Sequence, residues 1–315
     1  MKISVIGIGK VGSTVSFVLA KDGLASELVL YNRTREIAHA EAIDISQAVA
    51  LTPHRLLVRD GDIKDTAESD IIIIAVSTPM TKQMTSRDEL LLSNTQIMQS
   101  LIPPLVRHSP KAILINVSNP VDALTYQIWQ IASQHSKQIN WQRVIGTGTL
   151  IDSARFRDLL ATQLGIHPAD INAYILGEHG DGQFAALSSA TCGGEFIDAN
   201  PLRQKMVEDA KQSAWTIFQT KGYTNYTVSL AVELIVRSIV QDLRHTLPVS
   251  VAIDGYCDVY NCCLSVPCVI GRQGIHRRLQ TQLNESETLA FQNCARALQQ
   301  QIQSCQAQIV INSNK

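Results

Sequence analysis

The sequence predicts an α/β protein in which a doubly wound parallel sheet precedes a second domain of α+β type. Two observations lead to this prediction. In the first 146 residues, short β-branched segments alternate with longer stretches whose apolar residues recur every three or four positions, which is typical of parallel strands covered by helices. After Gly146 this alternation stops, and we therefore expect one domain at 1–146 and another at 147–315.

The strand segments are short, apolar and bounded by turn or polar residues. Six of them suit a sheet made of two mononucleotide-binding halves. They are residues 3–6, 28–31, 56–58, 71–76, 112–117 and 144–145. The helices predicted between them cover 11–21, 35–50, 88–107 and 121–134. In the second domain the same rules predict helices at 151–164, 201–220, 226–244 and 285–303, β segments near 171–176, and hairpin strands within 249–270.

The composition argues against several classes of partner. The chain has 27 Lys and Arg against 28 Asp and Glu, so it offers no strong field to a polyanion, and we expect no nucleic acid. The longest apolar runs fall far short of the roughly 20 residues of a membrane span, and no apolar leader follows Met1. We therefore expect a cytoplasmic protein without membrane contact. The seven cysteines form no CxxC pair, which favours reduced, mostly buried thiols and no metal site.

A glycine-rich turn lies between the first predicted strand and the first predicted helix. Gly7, Gly9 and Gly12 have the GxGxxG spacing. In a dinucleotide site the first glycine permits a tight turn, the second lets a pyrophosphate approach the backbone, and the third lets the helix pack closely on the strand. The alternative is a tight βα turn without a ligand. The strand before it and the helix after it favour a nucleotide site of the Rossmann type.

The residue expected to bind the adenine ribose lies about 20 positions after the turn. Asn32 ends the second strand, where NAD-binding proteins usually carry an acidic residue. Asparagine can bond a ribose hydroxyl but does not repel a 2′-phosphate, and Arg33 and Arg35 are close enough in sequence to bind one. We therefore predict NAD as the cofactor with tolerance of NADP, although both arginines could equally be solvated at the start of the helix.

Five polar or charged residues suggest a catalytic site. His179 lies between glycines after a predicted strand, an unusual setting for a core histidine. Asp152 and Arg155 have the i, i+3 spacing that puts two side chains on one helix face. Arg87 follows a polar loop, and Asn119 follows the fifth strand, at the carboxyl edge where α/β enzymes bind ligands. Taken singly, each charged residue could be a solvated surface group.

In this order, from Gly7 to about Gly271, the motifs resemble the L-lactate/malate dehydrogenase family over nearly the whole chain. Residues 146–155 and 221–224 look most like L-2-hydroxyisocaproate dehydrogenases and bacterial L-lactate dehydrogenases. The resemblance implies an NAD-dependent L-2-hydroxy acid dehydrogenase that forms a homodimer or homotetramer. It also implies that the domain at 147–315 binds the substrate and carries catalytic groups.

The chemistry of such an enzyme accounts for the residue types. Hydride transfer to a 2-oxo acid leaves an alkoxide, and an imidazole with an ordinary pKa near ~6.5 can protonate it near neutral pH. His179 is the candidate for this acid/base. The resemblance implies that Asp152 orients His179, Arg155 binds the substrate carboxylate, Arg87 polarises the carbonyl, Asn119 contacts substrate and cofactor, and Thr224 lines the substrate pocket.

The polar loop before Arg87 bears on the choice of substrate. Malate dehydrogenases carry an arginine about six positions before this residue for the second carboxylate, and here Thr81 or Lys82 takes its place. We therefore predict a 2-oxo monocarboxylic acid, either pyruvate or a larger one such as 2-oxoisocaproate. Lys82 keeps a malate dehydrogenase open as an alternative, because its ammonium could bind the second carboxylate.

Two departures from the family pattern concern loops and regulation. Gly182 takes a position where the family commonly has Ser or Thr, which should loosen the loop after His179 without removing a catalytic group. Arg157 matches an arginine that binds a sugar bisphosphate in allosteric bacterial lactate dehydrogenases. Asn172 replaces the second residue of that site, a histidine, so we predict no such activation.

A non-catalytic protein that senses a dinucleotide is an alternative from another class, and the intact set of catalytic residues argues against it.

Overall fold

The computed structural model describes residues 1–78 and 87–313 of the chain. Strands and helices alternate through its first half, with ends within two residues of the prediction. The strands are β1 (Lys2–Ile6), β2 (Glu27–Tyr31), β3 (Leu57–Asp60), β4 (Ile71–Ile74), β5 (Ile113–Asn116) and β6 (Val144–Gly146). The helices are α1 (Lys10–Lys21), α2 (Arg35–Val49), α3 (Arg87–His108) and α4 (Val121–His135).

The second half has shorter strands and longer helices. Its helices are α5 (Leu150–Leu164), α6 (Pro201–Lys221), α7 (Tyr226–Val240) and α8 (Glu285–Ser313). Its strands are β7 (Ile171–Asn172), β8 (Ile175–Leu176), β9 (Phe184–Ala185), β10 (Thr191–Cys192), β11 (Glu195–Phe196), β12 (His245–Tyr256), β13 (Val259–Gly271) and β14 (Gly274–Arg278). The sequence pattern does not predict β9, β10 or β11, because two residues are too few to show a period.

The first six strands form a parallel sheet in the order β3-β2-β1-β4-β5-β6, which confirms the doubly wound fold. β4 and β5 are buried at every residue, as expected for central strands that are covered by helices on both faces. The direction of winding reverses between β1 and β4. Ligands of such sheets bind at the carboxyl ends of the strands at this point, which is where the glycine-rich turn and Asn119 lie.

Strands β12, β13 and β14 extend the same sheet beyond β6 and are antiparallel to their neighbours. Ser250 of β12 pairs with Gly146 of β6. Within the described residues the sheet therefore has nine strands and continues across the position where the sequence pattern changes. Helix α4 packs against β12 and β13, so its apolar residues share one core with both halves of the chain. A smaller core lies between α5 and α6 and includes Phe156, Leu160 and Val207.

Helix α7 is shorter than predicted. It ends at Val240 rather than at 244, because the chain turns sharply before β12 begins at His245. Asp242 and Arg244 have left-handed backbone conformations, with φ of 51° and 56°, which a continuing α-helix does not allow. The local composition gave no glycine or proline to indicate this turn.

Helix α8 is ten residues longer than predicted, since it continues to Ser313 instead of ending at 303. Ile302 and Cys305 are buried in the main core and Ile309 packs against it, so the helical spacing of apolar residues continues into the added turns. No helix in the part of the chain that the structure describes is both long enough and apolar enough to cross a membrane.

Candidate active site

The glycine-rich turn between β1 and α1 is sterically closed at two of its glycines and open at the third. Gly7 has φ of +99°, and a Cβ there would lie 2.7 Å from the carbonyl oxygen of Ala75. A Cβ at Gly12 would lie 2.0 Å from the carbonyl oxygen of Gly7, so α1 approaches the turn this closely only with glycine. A Cβ at Gly9 would have no described atom within 4 Å. Gly9 therefore leaves open space at the start of α1, as binding of a pyrophosphate requires.

Asn32 follows β2 and contacts the glycine-rich turn. Its Oδ1 accepts a hydrogen bond from the backbone N–H of Ile8 (3.2 Å), and its Nδ2 donates to a backbone carbonyl two residues further on (3.1 Å). Arg35 forms an ion pair with Asp60, with 2.9 Å between Nε and Oδ2. Arg33 is exposed. Of the two arginines considered for a 2′-phosphate, Arg35 is therefore already paired with a carboxylate.

His179 and Asp152 form the central contact of the site. His179 lies in the loop after β8, and Asp152 lies in the first turn of α5. Nδ1 of His179 is 2.5 Å from Oδ2 of Asp152. The charge of Asp152 raises the pKa of His179 above its ordinary value; burial opposes this shift, and the hydrogen bond adds to it. Because Asp152 occupies Nδ1, Nε2 is the ring nitrogen that can exchange a proton with a substrate.

Asp152 lies between two basic side chains. Its side chain is 5% exposed, and its Oδ1 lies 3.2 Å from Nη1 of Arg155. Burial would raise the pKa of Asp152, but the charge and hydrogen bond of His179, together with the charge of Arg155, hold it below its ordinary value. The i, i+3 pair of α5 is therefore not an exposed surface pair. The carboxylate of Asp152 is buried, and it contacts the guanidinium of Arg155 on one side and the imidazole of His179 on the other.

Two cavities lie beside His179. One has a volume of 580 Å³ and is lined in part by Asn119, Asp122 and Leu298. The other has a volume of 640 Å³, and its lining includes Asp152 and Trp215. His179 and Phe218 line both cavities, and 26% of the His179 side chain is exposed. The imidazole is therefore accessible from both cavities.

Asn119 is exposed in the first cavity, and a buried residue holds its backbone. Asn94 of α3 donates from Nδ2 to the carbonyl oxygen of Asn119 (2.7 Å). Its Oδ1 accepts a hydrogen bond from the backbone N–H of Thr78 (2.8 Å). Asn94 therefore connects the segment after β5 with the segment after β4. Asn94 is not predicted from the sequence, because a single polar residue on a helix gives no signal of its partners.

Asp122 is a second site residue that is not predicted from the sequence. It lies in the first turn of α4, is 3% exposed, and its Oδ2 accepts a hydrogen bond from the backbone N–H of His179 (2.7 Å). Burial raises the pKa of Asp122 to about 6. Two carboxylates therefore hold His179, Asp152 at the ring and Asp122 at the backbone. The available signal was the apolar pair Ala123 and Leu124 directly after it, which indicates a buried helix face.

The remaining predicted site residues are Thr224, Arg87 and Lys82. Thr224 lies in the connection from α6 to α7 and is half-buried. It is not among the described residues that line the two cavities. The backbone of Arg87 begins α3 beside Asp88, which lines the first cavity. The side chain of Arg87 lies outside the described residues, as do Thr81 and Lys82.

All seven cysteines lie within the described residues and are free thiols. Five are buried and two are half-buried, which confirms the prediction that they are mostly buried. Among residues 1–78 and 87–313 there is no group of three or more His, Cys, Asp or Glu side chains that could hold a metal ion.

Two family models match the chain. The NAD binding domain of lactate/malate dehydrogenase matches residues 1–140, and the alpha/beta C-terminal domain of the same family matches residues 149–309. The L-lactate dehydrogenase of Clostridium perfringens is 36% identical over 296 residues, which are 91% of this chain and 91% of that protein. An L-lactate dehydrogenase of Thermoanaerobacter pseudethanolicus is 37% identical over 313 residues, which are 96% of this chain and 98% of that protein.

Solved structures agree with these sequence relatives. A lactate dehydrogenase from a Medee basin deep-sea metagenome library has a TM-score of 0.92 at 28% identity, covering 97% of this chain and 98% of that one. The minor L-lactate dehydrogenase of Enterococcus mundtii has a TM-score of 0.90 at 27% identity, covering 96% of this chain and 98% of that one. The chain belongs to the lactate/malate dehydrogenase family and is therefore an NAD-dependent 2-hydroxy acid dehydrogenase.

Proposed function

We propose that the chain interconverts 2-oxo monocarboxylic acids and L-2-hydroxy acids, with His179 as the acid/base. The observation that carries this proposal is the 2.5 Å contact between His179 and the buried Asp152, beside two cavities. The nicotinamide, when bound, supplies or accepts the hydride. In reduction, Nε2 of His179 gives its proton to the carbonyl oxygen, and in oxidation Nε2 takes the proton from the hydroxyl group.

Asp152 makes this proton transfer possible near neutral pH. It stabilises the imidazolium form and holds the ring with its hydrogen on Nδ1. Reduction needs the imidazolium, so its rate should fall as the pH rises through the raised pKa of His179. Oxidation needs the neutral ring, so its rate should rise over the same range. Opposite pH profiles of the two directions would support the assignment.

Arg155 fits the carboxylate of the substrate. Its guanidinium has five N–H donors, and the contact with Asp152 uses one of them. A planar fork of this kind binds a carboxylate at two points. The other roles we propose follow the family: residues 1–146 bind the cofactor through Gly7, Gly9, Gly12 and Asn32, residues 147–315 hold the substrate, Asn119 contacts both, Arg87 polarises the carbonyl, and Thr224 lines the pocket.

An aromatic surface beside His179 favours substrates with side chains larger than methyl. Trp215 and Phe218 of α6 stack with their ring centroids 6.1 Å apart, and they are 53% and 38% exposed. Phe218 lines both cavities and Trp215 lines the second. Such rings can cover an apolar substituent. Because the relatives are named L-lactate dehydrogenases, we propose that the enzyme accepts pyruvate together with larger acids such as 2-oxoisocaproate.

Initial rates of NADH oxidation with pyruvate, 2-oxoisocaproate, phenylpyruvate and oxaloacetate at pH 7 test this proposal. We expect kcat/KM for the monocarboxylic acids to exceed that for oxaloacetate. Phe218→Ala should lower kcat/KM for 2-oxoisocaproate by roughly 10-fold, and for pyruvate much less, because each apolar CH2 group that loses its cover costs about 0.8 kcal/mol. Leu202→Ala is the matched control, since Leu202 is an exposed apolar residue of the same helix outside both cavities.

The opposite substrate order would overturn the proposal. If oxaloacetate reacted faster than every monocarboxylic acid, the chain would be a malate dehydrogenase in which Lys82 binds the second carboxylate. If no acid reacted with NADH or NADPH, the dinucleotide-sensing alternative would apply.

We also propose that NAD is preferred over NADP. The support is the pairing of Arg35 with Asp60. Of the two arginines, only Arg33, which is exposed, then remains for a 2′-phosphate. Asn32 itself carries no charge that would repel the phosphate, so we expect NADPH to be used at a lower rate rather than excluded. Measuring kcat/KM for NADH and NADPH with the same 2-oxo acid tests this preference.

We propose that the chain forms a homodimer or homotetramer. Helices α1, α2 and α7 carry apolar side chains that are between 44% and 70% exposed, namely Phe17, Ile37, Ile43, Tyr226 and Leu230. α1 packs against both of the other helices, and large exposed apolar patches mark interfaces. Sedimentation equilibrium at micromolar concentration should show a dimer or tetramer. Leu230→Lys should favour smaller species, whereas Leu289→Lys, at a similarly exposed site on α8, should not. A monomeric parent protein would contradict the proposal.

A further inference from the structure

The loop that carries His179 is in contact with a cysteine at both of its ends. This loop, residues 177–182, connects β8 with the segment before β9. The thiol of Cys294, on α8, donates a hydrogen bond to the carbonyl oxygen of Gly182, with 2.8 Å between sulfur and oxygen. At the other end, a Cβ at Gly177 would lie 2.9 Å from the same sulfur. One thiol therefore fills the space behind the loop, between its first and last residues.

Gly182 and Cys294 are sterically complementary. A Cβ at Gly182 would lie 3.0 Å from Sγ of Cys294, so a serine or threonine there would press on the thiol and require it to shift. The family commonly has one of those residues at this position, and here the thiol occupies the space that such a side chain would need. The sequence alone had suggested that Gly182 loosens the loop. In the structure, the thiol of Cys294 contacts this end of the loop.

The thiol is suited to a structural contact of this kind. Cys294 is 2% exposed, and burial raises its pKa to about 11, so the group stays protonated and able to donate at neutral pH. It is part of α8, a helix of 29 residues that packs against β13 and β9. A contact from this helix therefore ties the loop to the main core, of which Cys294 is part.

We propose that Cys294 is a positioning residue, whose thiol between Gly177 and Gly182 keeps the His179 loop where the imidazole meets Asp152. The proposal rests on the proposed role of His179 as the acid/base. It predicts that loss of the thiol lowers the rate of the chemical step, while the substrate carboxylate still binds to Arg155 and the cofactor still binds to the glycine-rich turn.

The first test is a comparison of Cys294→Ala and Cys294→Ser with the parent protein. We expect Cys294→Ala to lower kcat for pyruvate reduction roughly 10-fold, because small misplacements of a catalytic group are costly. KM for pyruvate and Kd for NADH should change less than about 2-fold, since the thiol is buried and lines neither of the two cavities beside His179. Cys294→Ser, which restores a small hydrogen-bond donor, should recover most of the lost rate.

Cys305→Ala is the matched control for general damage to the helix. Cys305 is also on α8, is 4% exposed, and its thiol lies 3.7 Å from Oγ1 of Thr95, away from the His179 loop. We expect this variant to lose thermal stability to a similar extent as Cys294→Ala but to keep the parent kcat. If both variants lost kcat equally, or if Cys294→Ala kept it, the positioning role would be wrong.

The second test uses the steric complementarity of the pair. Gly182→Ser alone should lower kcat, because the new side chain collides with the thiol. In the double variant Gly182→Ser/Cys294→Ala the space is free again, and kcat should exceed that of Gly182→Ser. If the fold loss of kcat in the double variant equalled the product of the losses in the two single variants, the proposal would be contradicted. His179→Gln separates this result from the proposed function: if that variant retained full activity, the acid/base assignment itself would fail, whatever the cysteine variants showed.

Discussion

The glycine-rich turn and the His179 cluster reach their geometry in different ways. In the turn, the fit comes from backbone atoms: a Cβ at Gly12 would approach the carbonyl oxygen of Gly7 to 2.0 Å, and a Cβ at Gly7 would approach that of Ala75 to 2.7 Å. In the cluster, the fit comes from side chains of distant segments, with Asp122 from α4 and Asp152 from α5 meeting the His179 loop. The two regions should therefore be sensitive to different substitutions. An added carbon atom should disrupt the turn, and the loss of a charge should disrupt the cluster.

The largest effect is expected for Asp152→Asn, which keeps the shape of the cluster but removes its charge. The amide cannot stabilise the imidazolium, and it can hold the ring in the wrong tautomer, so kcat for pyruvate reduction should fall on the order of 10³-fold. Steady-state rates at pH 7 measure this loss. Kd for NADH should stay unchanged as the control. A loss below about 10-fold would show that the buried pair does not carry the chemistry.

The second prediction compares two glycines of the same turn. Gly12→Ala should both weaken NADH binding and lower the melting temperature, because its methyl group collides with the carbonyl of Gly7. Gly9→Ala should weaken NADH binding by at least roughly 10-fold yet leave the melting temperature of the free protein nearly unchanged, since no described atom lies near its Cβ. Fluorescence titration and thermal melts without cofactor measure the two properties. Unchanged NADH binding in both variants would place the cofactor elsewhere.

The third prediction concerns the two aspartates beside His179, whose pKa values shift in opposite directions. Burial raises the pKa of Asp122 to about 6, above an unfolded value of 3.8, so the group destabilises the fold as the pH rises from below 4 to above 6. Asp122→Asn cannot ionise and keeps an oxygen for the His179 N–H. Relative to the parent, the free energy of unfolding of this variant should increase by about 2 kcal/mol between pH 4 and pH 7.

Asp152→Asn is the contrasting variant for this measurement. The lowered pKa of Asp152 stabilises the fold above the unfolded pKa, and this contribution is lost as the pH falls through the folded pKa. Relative to the parent, Asp152→Asn should therefore become less stable as the pH rises over the acidic range. Urea unfolding at several pH values distinguishes the two variants. Parallel pH profiles for both variants would show that the two carboxylates are in equivalent environments.

The smallest effect is expected at Asn32, which belongs to the cofactor region but acts through its side chain. Asn32→Asp should increase the preference for NADH over NADPH by roughly 10-fold, because a carboxylate repels the 2′-phosphate. The ratio of kcat/KM for the two cofactors measures this change. Arg35→Gln should alter the ratio less, since Arg35 is already paired with Asp60. If Arg35→Gln changed it more, the arginine would leave Asp60 to bind the phosphate.

The sequence by itself determined the features that depend on neighbouring residues. Local periodicity and sterics are enough to predict the six parallel strands, the turn at Gly7 and Gly12, and the shared helix face of Asp152 and Arg155. His179 was recognisable from its flanking glycines and from the family resemblance. Even the length of α8 was present in the spacing of its apolar residues, although the prediction stopped ten residues too early.

The tertiary structure alone decided which distant residues meet. Asp122 is 57 positions from His179 and Cys294 is 112 positions from Gly182, and pairs so far apart leave no periodic signal in a single sequence. The same is true of Ser250, whose pairing with Gly146 extends the parallel sheet with an antiparallel hairpin. The pKa of Asp122 is likewise a tertiary property, because the burial that raises it exists only after α4, β12, β13 and the His179 loop have packed together.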